Sequence, residues 1–298
     1  MDYVIAIPSY KRAETLKEKT LKFLNSNKID PSLIHIFVAN EEERIEYNSI
    51  LDEKKYGKII VGVLGMKNIR NFITDYFPAN KYIVNLDDDI KDIMYLHGDK
   101  KLKSLPKLDT FIRSAFQYSQ KVGANLWGIY PVANPFYMNH GISSGLYYIV
   151  GCMWGCKNLY KHKIKVTIDD KEDFERSILY YNEDNVVIRY NYITVKTNYY
   201  KEHGGMQETR TDTRVTKSAH YLVKKYPKLC ELNNNKKSEK TEIKFKRQNV
   251  TEIFKWKQTQ PENRPSIKST PKEDLFITLR LDPGQVAVLR VTPRSNLH

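Results

Sequence analysis

The stretch Tyr82-Ile83-Val84-Asn85-Leu86-Asp87-Asp88-Asp89 decides the fold of this chain. A short apolar run ends abruptly in three carboxylates. Such a run, bounded by polar residues, fits a buried strand. Adjacent carboxylates at a strand end repel one another unless a cation sits there. Asp87 and Asp89 are two apart on a segment expected to be extended, so they are expected to project to one side. That suits a hard divalent ion bridging a diphosphate, because such ions take oxygen ligands. The alternative is a solvated acidic turn that caps the next helix. The position at the end of an apolar strand weighs against it.

Working outward, apolar runs alternate with amphipathic stretches. Strands are expected at Tyr3–Ile7, Ile34–Ala39 and Ile59–Leu64. Helices are expected between them at Arg12–Asn25, Glu41–Lys54 and Lys67–Tyr76, the last closed by Phe77-Pro78. The alternation implies an α/β fold with a mostly parallel sheet flanked by helices. In such sheets ligands sit at the carboxyl ends of the strands. Pro8-Ser9-Tyr10, Asn40-Glu41, Gly65-Met66 and Asp87–Asp89 are therefore expected to converge on one edge.

The second half reads as a helix at Leu108–Lys121, a strand at Leu126–Tyr130 and a loop at Asn134–Ser144. Leu146–Val150 followed by Met153-Trp154 reads as a strand that crosses the site. A helix at Lys171–Tyr181, a long β run at Val186–Thr197 and a helix at Thr211–Lys225 complete it. Composition shifts at Asn233-Asn234-Asn235-Lys236-Lys237. The expected organisation is a catalytic domain over 1–230 and a basic C-terminal extension over 231–298. The extension carries a hairpin signal at Leu275–Val291 around Asp282-Pro283-Gly284.

With 41% hydrophobic and 28% charged residues, the 298-residue chain can bury a core. Its 21 tyrosines suit strands and surfaces that stack sugars or bases. A net charge of +14 favours a polyanionic partner. Because the charge is spread along the chain, a solvated basic surface is an equal alternative. Cys152, Cys156 and Cys230 give neither a disulfide framework nor a zinc site, and fit a reducing interior. The sequence shows no signal peptide and no apolar run of ~18 residues, so an intracellular, non-secreted protein without a membrane span is expected.

Further constellations follow the first. Ile7-Pro8-Ser9-Tyr10-Lys11-Arg12 leads from a strand into a helix N-terminus, a place for a nucleotide. Tyr10 suits stacking on a base and Arg12 pairing with phosphate. Gly65-Met66-Lys67-Asn68-Ile69-Arg70-Asn71 combines a permissive glycine with an arginine within reach of a diphosphate. Asp169–Glu175 is a second acidic cluster. Asp173, with Glu172 beside it, is the candidate general base for an acceptor hydroxyl; helix-dipole stabilisation is its structural alternative. His203-Gly204-Gly205 offers a neutral imidazole as a third metal ligand.

In this order, the motifs Ile7–Arg12, Gly65–Asn71, Asp87–Asp89, Lys171–Asp173 and His203 resemble the GT-A (Rossmann-like) glycosyltransferases, from Met1 to about Lys225. The chain is similar to the TET/JBP-associated glycosyltransferases of phages and large DNA viruses, thought to glycosylate hydroxymethylated pyrimidines in DNA. The resemblance implies that Pro8, Tyr10 and Arg12 line the nucleoside pocket. Asn40 and Glu41 stand where the family often places an acid on the base. Arg70 would approach the base or diphosphate, and Asp87 and Asp88 would lie against the donor. Asp87, Asp89 and His203 would hold Mn2+ or Mg2+, and Glu172-Asp173 would supply the base of an inverting enzyme. Gly145–Cys156 would floor the donor sugar. The implied activity is transfer of a hexose from a UDP-sugar to an acceptor hydroxyl, a 5-hydroxymethylpyrimidine in DNA such as 5-hydroxymethylcytosine. In a viral source the setting would be the host cytoplasm or nucleus.

Three rivals stand beside that reading. A GT-A enzyme acting on a glycan, lipid or protein would share the chemistry. A nucleotidyltransferase would want a Gly-rich phosphate loop, and Pro8–Arg12 has no glycine. A non-catalytic basic nucleic-acid-binding module would have no need of clustered carboxylates, which repel phosphate.

Overall fold

The computed structural model of the chain describes residues 2–98, 101–159, 163–197, 211–233 and 241–246, together with the backbone of two strands at 275–282 and 285–291. Four strands fill the first half: β1 (Tyr3–Pro8), β2 (Ile34–Val38), β3 (Lys58–Val61) and β4 (Tyr82–Leu86). Between them lie α1, α2 (Glu41–Ile50) and α3 (Met66–Tyr76). Helix α1 consists of an α-helical segment Ala13–Leu16, a π-helical turn Lys17–Leu21 and a second α-helical segment Lys22–Ser26. Next come the antiparallel pair β5 (Asp92–His97) and β6 (Lys101–Ser104), then α4 (Leu108–Lys121), β7 (Leu126–Ile129), β8 (Ile142–Gly145) and β9 (Met153–Lys157). Beyond these are α5 (Glu172–Asp184), β10 (Val187–Tyr190), β11 (Ile193–Lys196), α6 (Asp212–Lys225), β12 (Cys230–Leu232) and β13 (Ile243–Phe245). A separate hairpin joins β14 (Leu275–Asp282) to β15 (Gln285–Val291), where the sequence expected one.

The main sheet has eight strands in the order β3-β2-β1-β4-β9-β7-β10-β8. β1 to β4 are mutually parallel, β9 runs antiparallel between β4 and β7, and β8 closes the far edge antiparallel to β10. This is a mixed α/β fold with a mostly parallel sheet flanked by helices. The parallel strands are buried on both faces, which is why β1 and β2 read as near-continuous apolar runs. Val84 and Leu86 feed one core layer, while Ile83 joins the other with Val4, Phe37 and Ile73. That alternation is the period-2 rule of a strand packed on both sides.

Two glycines allow close crossings. A Cβ on Gly155 would meet the Trp127 ring at 2.2 Å, so Trp127 packs against the bare backbone of β9. A Cβ on Gly128 would stand 2.3 Å from Ile149. The segment Leu146–Val150, expected as strand, therefore crosses the sheet face as irregular chain before β9 begins. The single β run expected at Val186–Thr197 divides at Asn191-Tyr192 into β10 of the main sheet and β11 of a three-stranded sheet with β5 and β6.

The hairpin β12–β13 straddles the expected boundary at 230/231. Cys230 and Ile243 pack with Ile178, Ala219 and Leu222. The ring of Phe245 meets Phe174 at 5.3 Å. Among the described residues, no helix is long and apolar enough to cross a membrane.

Candidate active site

The parallel order β3-β2-β1-β4 puts the four predicted segments on one carboxyl edge, as expected. The chain leaves β4 at Leu86 and turns at Asp88-Asp89, so the extended run expected there is cut short. Asp88 points inward: Ser9 Oγ donates to its Oδ2 at 2.7 Å, and an Arg12 guanidinium nitrogen lies 3.1 Å from its Oδ1. A relay stands behind this contact. The Arg12 amide donates to the Tyr47 hydroxyl at 3.0 Å, Tyr47 and Ser9 share a 2.8 Å hydrogen bond, and Ser9 donates onward to Asp88. Burial pushes the Asp88 carboxyl up to about 6, against the pull of Arg12 and Ser9. Asp88 thus ties the β1 loop to the end of β4.

Asp87 faces the other way. Its amide donates to the Cys152 carbonyl at 3.0 Å, and its own carbonyl accepts from Thr20 Oγ1 at 2.8 Å. Arg70 Nη2 reaches Asp87 Oδ1 at 3.0 Å and the Gly151 carbonyl at 3.3 Å. Burial raises the Asp87 carboxyl above its ordinary range, and Arg70 opposes that rise. Asp89 is half-buried, and its carbonyl accepts from Thr197 Oγ1 at 3.3 Å.

Arg70 carries the connection further. Its Nε lies 3.6 Å from Glu172 Oε1 at the start of α5, and Arg176 Nη1 reaches the same oxygen at 3.2 Å. Arg176 also donates to the Ile149 carbonyl at 3.2 Å and lies 4.0 Å from the Trp154 ring centroid. Burial pushes Glu172 up to about 7, with the two guanidiniums pulling it down. The predicted pair Glu172-Asp173 is therefore divided in two. Glu172 turns inward between arginines, while Asp173 accepts a hydrogen bond from the Tyr148 hydroxyl. Burial and the Asp173 charge raise the Tyr148 phenol well above its usual value, so it stays protonated and donates. Phe174 stacks on Tyr148 at 4.3 Å. A Cβ on Gly151 would stand 3.6 Å from Glu172 Oε1 and 3.7 Å from Asp173 Oδ2, so the 146–152 crossing runs directly beside both acids.

The Asn40 side chain caps α2, accepting from the Glu43 amide at 2.9 Å. Glu41 forms a surface ion pair with Arg44. The buried acid at the end of β2 is Glu43, whose two oxygens accept from the amides of Lys11 and Ala39, each at 2.8 Å. The capping pattern at Asn40 carried the signal: a residue three places into a helix faces back over its first turn. Pro8 ends β1 against Phe37, and Tyr10 is half-buried with Lys11 Nζ 5.1 Å from its ring. His203 lies outside the described residues. The sequence pattern gives no sign of Tyr47 or Arg176, nor of the contacts made by Ser9 and Tyr148, because partners distant in sequence leave no local pattern.

Among the described residues, no three His, Cys, Asp or Glu side chains stand together as a metal site. With Asp88 engaged inward, the donor set there is Asp87 and Asp89. Both are hard oxygen ligands of the kind Mn2+ and Mg2+ take.

No known protein family matches the chain, and no curated protein does. Among solved structures, the mannosyltransferase PcManGT from Pyrobaculum calidifontis, in complex with GDP-Man and Mn2+, is similar at a TM-score of 0.47 and 11% identity. That likeness covers 76% of this chain and 63% of the mannosyltransferase. A mycobacterial protein is similar at a TM-score of 0.42 and 8% identity, over 82% of this chain and 83% of its own. Likenesses at this level assign neither a residue nor a reaction.

Proposed function

We propose that the chain is a metal-dependent glycosyltransferase that moves a sugar from a nucleotide-sugar donor to an acceptor hydroxyl with inversion. One observation carries the reading: Arg70 joins Asp87, at the end of β4, to Glu172, beside Asp173 at the start of α5. Two acidic clusters far apart in sequence thereby meet on the edge where α/β sheets bind ligands. Asp87 and Asp89 would hold Mn2+ or Mg2+, which when bound supplies charge neutralisation to a departing diphosphate. His203 is proposed as a further ligand. Asp173 takes the proton of the acceptor hydroxyl, and Tyr148 orients its carboxylate by donating to Oδ2. Glu172 acts through Arg70 and Arg176 and touches no reacting atom.

The proposed donor is a UDP-sugar, with Pro8, Tyr10 and Arg12 near the nucleoside. The proposed acceptor is a 5-hydroxymethylpyrimidine in DNA, supported by the net charge of +14. Residues 1–230 are proposed as the catalytic unit and 231–298 as an extension, with the β12–β13 hairpin buttressing Phe174. Incubation with UDP- and GDP-sugars and Mn2+ tests the reading. Nucleoside diphosphate release and an inverted product anomer by NMR support it; release of pyrophosphate would instead indicate nucleotidyl transfer.

A further inference from the structure

A second cation stands along the same sheet, on β10. Arg189 is framed by two aromatic rings, with its guanidinium carbon 4.8 Å from the Tyr147 centroid and 5.4 Å from that of Tyr130. Its Nε donates to Asn191 Oδ1 at 2.9 Å, and Asn191 in turn donates to Ser143 Oγ at 2.7 Å. The guanidinium plane is thus held from its Nε side, while no carboxylate among the described residues pairs with it. Burial disfavours its charge. A half-buried cation without a counter-charge is expensive unless an anion joins it.

The surroundings narrow the choice of anion. Tyr147 is the chain neighbour of Tyr148, which holds Asp173. The connection from β7 to β8 leaves at Tyr130 and returns at Ile142, opposite Tyr190. It carries Phe136 at 67% and Tyr137 at 62% exposure, two large rings presented to solvent. Rings that stack bases, interleaved with an arginine for phosphate, are the means by which proteins hold single-stranded nucleic acid.

The geometry points to a subsite for a single nucleic-acid strand here, with Arg189, held between Tyr130 and Tyr147, on a backbone phosphate and the exposed rings of Phe136 and Tyr137 offering faces to bases. This inference rests on the proposed acceptor side of the edge, where it would present the acceptor nucleotide to Asp173.

The test is fluorescence anisotropy with a labelled single-stranded DNA 12-mer, using heparin as a control polyanion. Arg189→Ala should weaken strand binding about tenfold and lower the slope of log K against log salt by about 0.7. Arg189→Lys should restore part of the affinity. Phe136→Ala/Tyr137→Ala, altered only on an exposed loop, should weaken it as well, and keeps the test decisive should Arg189→Ala misfold. Unchanged strand binding in these variants, or equal preference for heparin, would overturn the subsite. UDP-sugar turnover by the wild type with Mn2+ separates the two ideas. Arg189-dependent strand binding without turnover removes the glycosyltransferase reading alone, and turnover with Arg189-independent strand binding removes this inference alone.

Discussion

Asp87 and Glu172 share one guanidinium: Arg70 Nη2 is 3.0 Å from the first and its Nε 3.6 Å from the second. Arg70 is 6% exposed, a largely desolvated cation between two carboxylates, of which Glu172 also has Arg176 at 3.2 Å. Without Arg70, Asp87 loses this partner at a partly exposed position and Glu172 keeps only Arg176, a loss of about 1–3 kcal/mol. Arg70→Met is expected to destabilise by roughly that amount and to abolish turnover. Arg70→Lys should recover stability in part but not the bridge, because a single ammonium cannot serve two directions as a planar fork does. Denaturant unfolding and diphosphate-release kinetics check both.

Asp173 and Glu172 are adjacent in sequence and serve different ends. Asp173→Asn should lower kcat about 10²–10⁴-fold while leaving donor affinity near the wild-type value, as loss of a general base does. Tyr148→Phe should cost less, about tenfold, because it removes orientation and not the base. Glu172→Gln should lower stability and kcat together. Steady-state kinetics combined with UDP affinity separates the three; an Asp173→Asn enzyme with unaltered kcat would remove Asp173 from its role.

Asp88 is the middle of the three aspartates and the one given to the scaffold. Asp88→Asn and Ser9→Ala should each destabilise, Ser9→Ala by about 1–2 kcal/mol, with Mn2+ affinity unchanged. Asp87→Asn and Asp89→Asn should weaken Mn2+ binding with less effect on melting. Mn2+ titration followed by electron paramagnetic resonance reads the difference directly.

His35 gives a pH dependence of known sign. Burial lowers its pKa from the ordinary 6.5. Its folded-state value lies below its unfolded value, so its contribution is present above pH 6.5 and is lost as pH falls from there towards the folded pKa. The ring also packs edge-on against Phe77 at 5.4 Å. His35→Phe should therefore lose less stability between pH 7.5 and 5.5 than wild type. Paired thermal melts at the two pH values check this; equal losses would contradict the assignment.

The three cysteines are buried and none forms a disulfide. Burial pushes the thiols of Cys156 and Cys230 up to about 11. The native protein should react slowly with a disulfide reagent at pH 8 and release three equivalents in denaturant, because the thiolate is the reactive form.

Much of the first half was legible because parallel strands buried on both faces leave an unmistakable mark: Tyr82–Leu86 matches β4 residue for residue. The edge location of the aspartates followed from topology alone. What stayed hidden were choices made by tertiary contact. Strands β5 and β6 have mixed burial and no clean alternation, since they belong to a small sheet covered on one side only in part. The Asn191-Tyr192 break carries no glycine or proline to announce it. Leu146–Val150 has strand composition, yet it crosses the sheet where Gly128 leaves room for Ile149. Which aspartate turns inward was decided by Ser9 and Arg12, and the inward turn of Glu172 by Arg70 and Arg176.

The carboxylates at the end of β4 are proposed to grip a cation against a diphosphate. Isothermal titration of UDP into the wild-type protein, with Mn2+ and then with a chelator, tests it most directly, with Asp87→Asn as the companion. Binding with Mn2+, little or none with the chelator, and loss of the Mn2+ effect in Asp87→Asn are expected. UDP binding of equal strength in all three cases would contradict it.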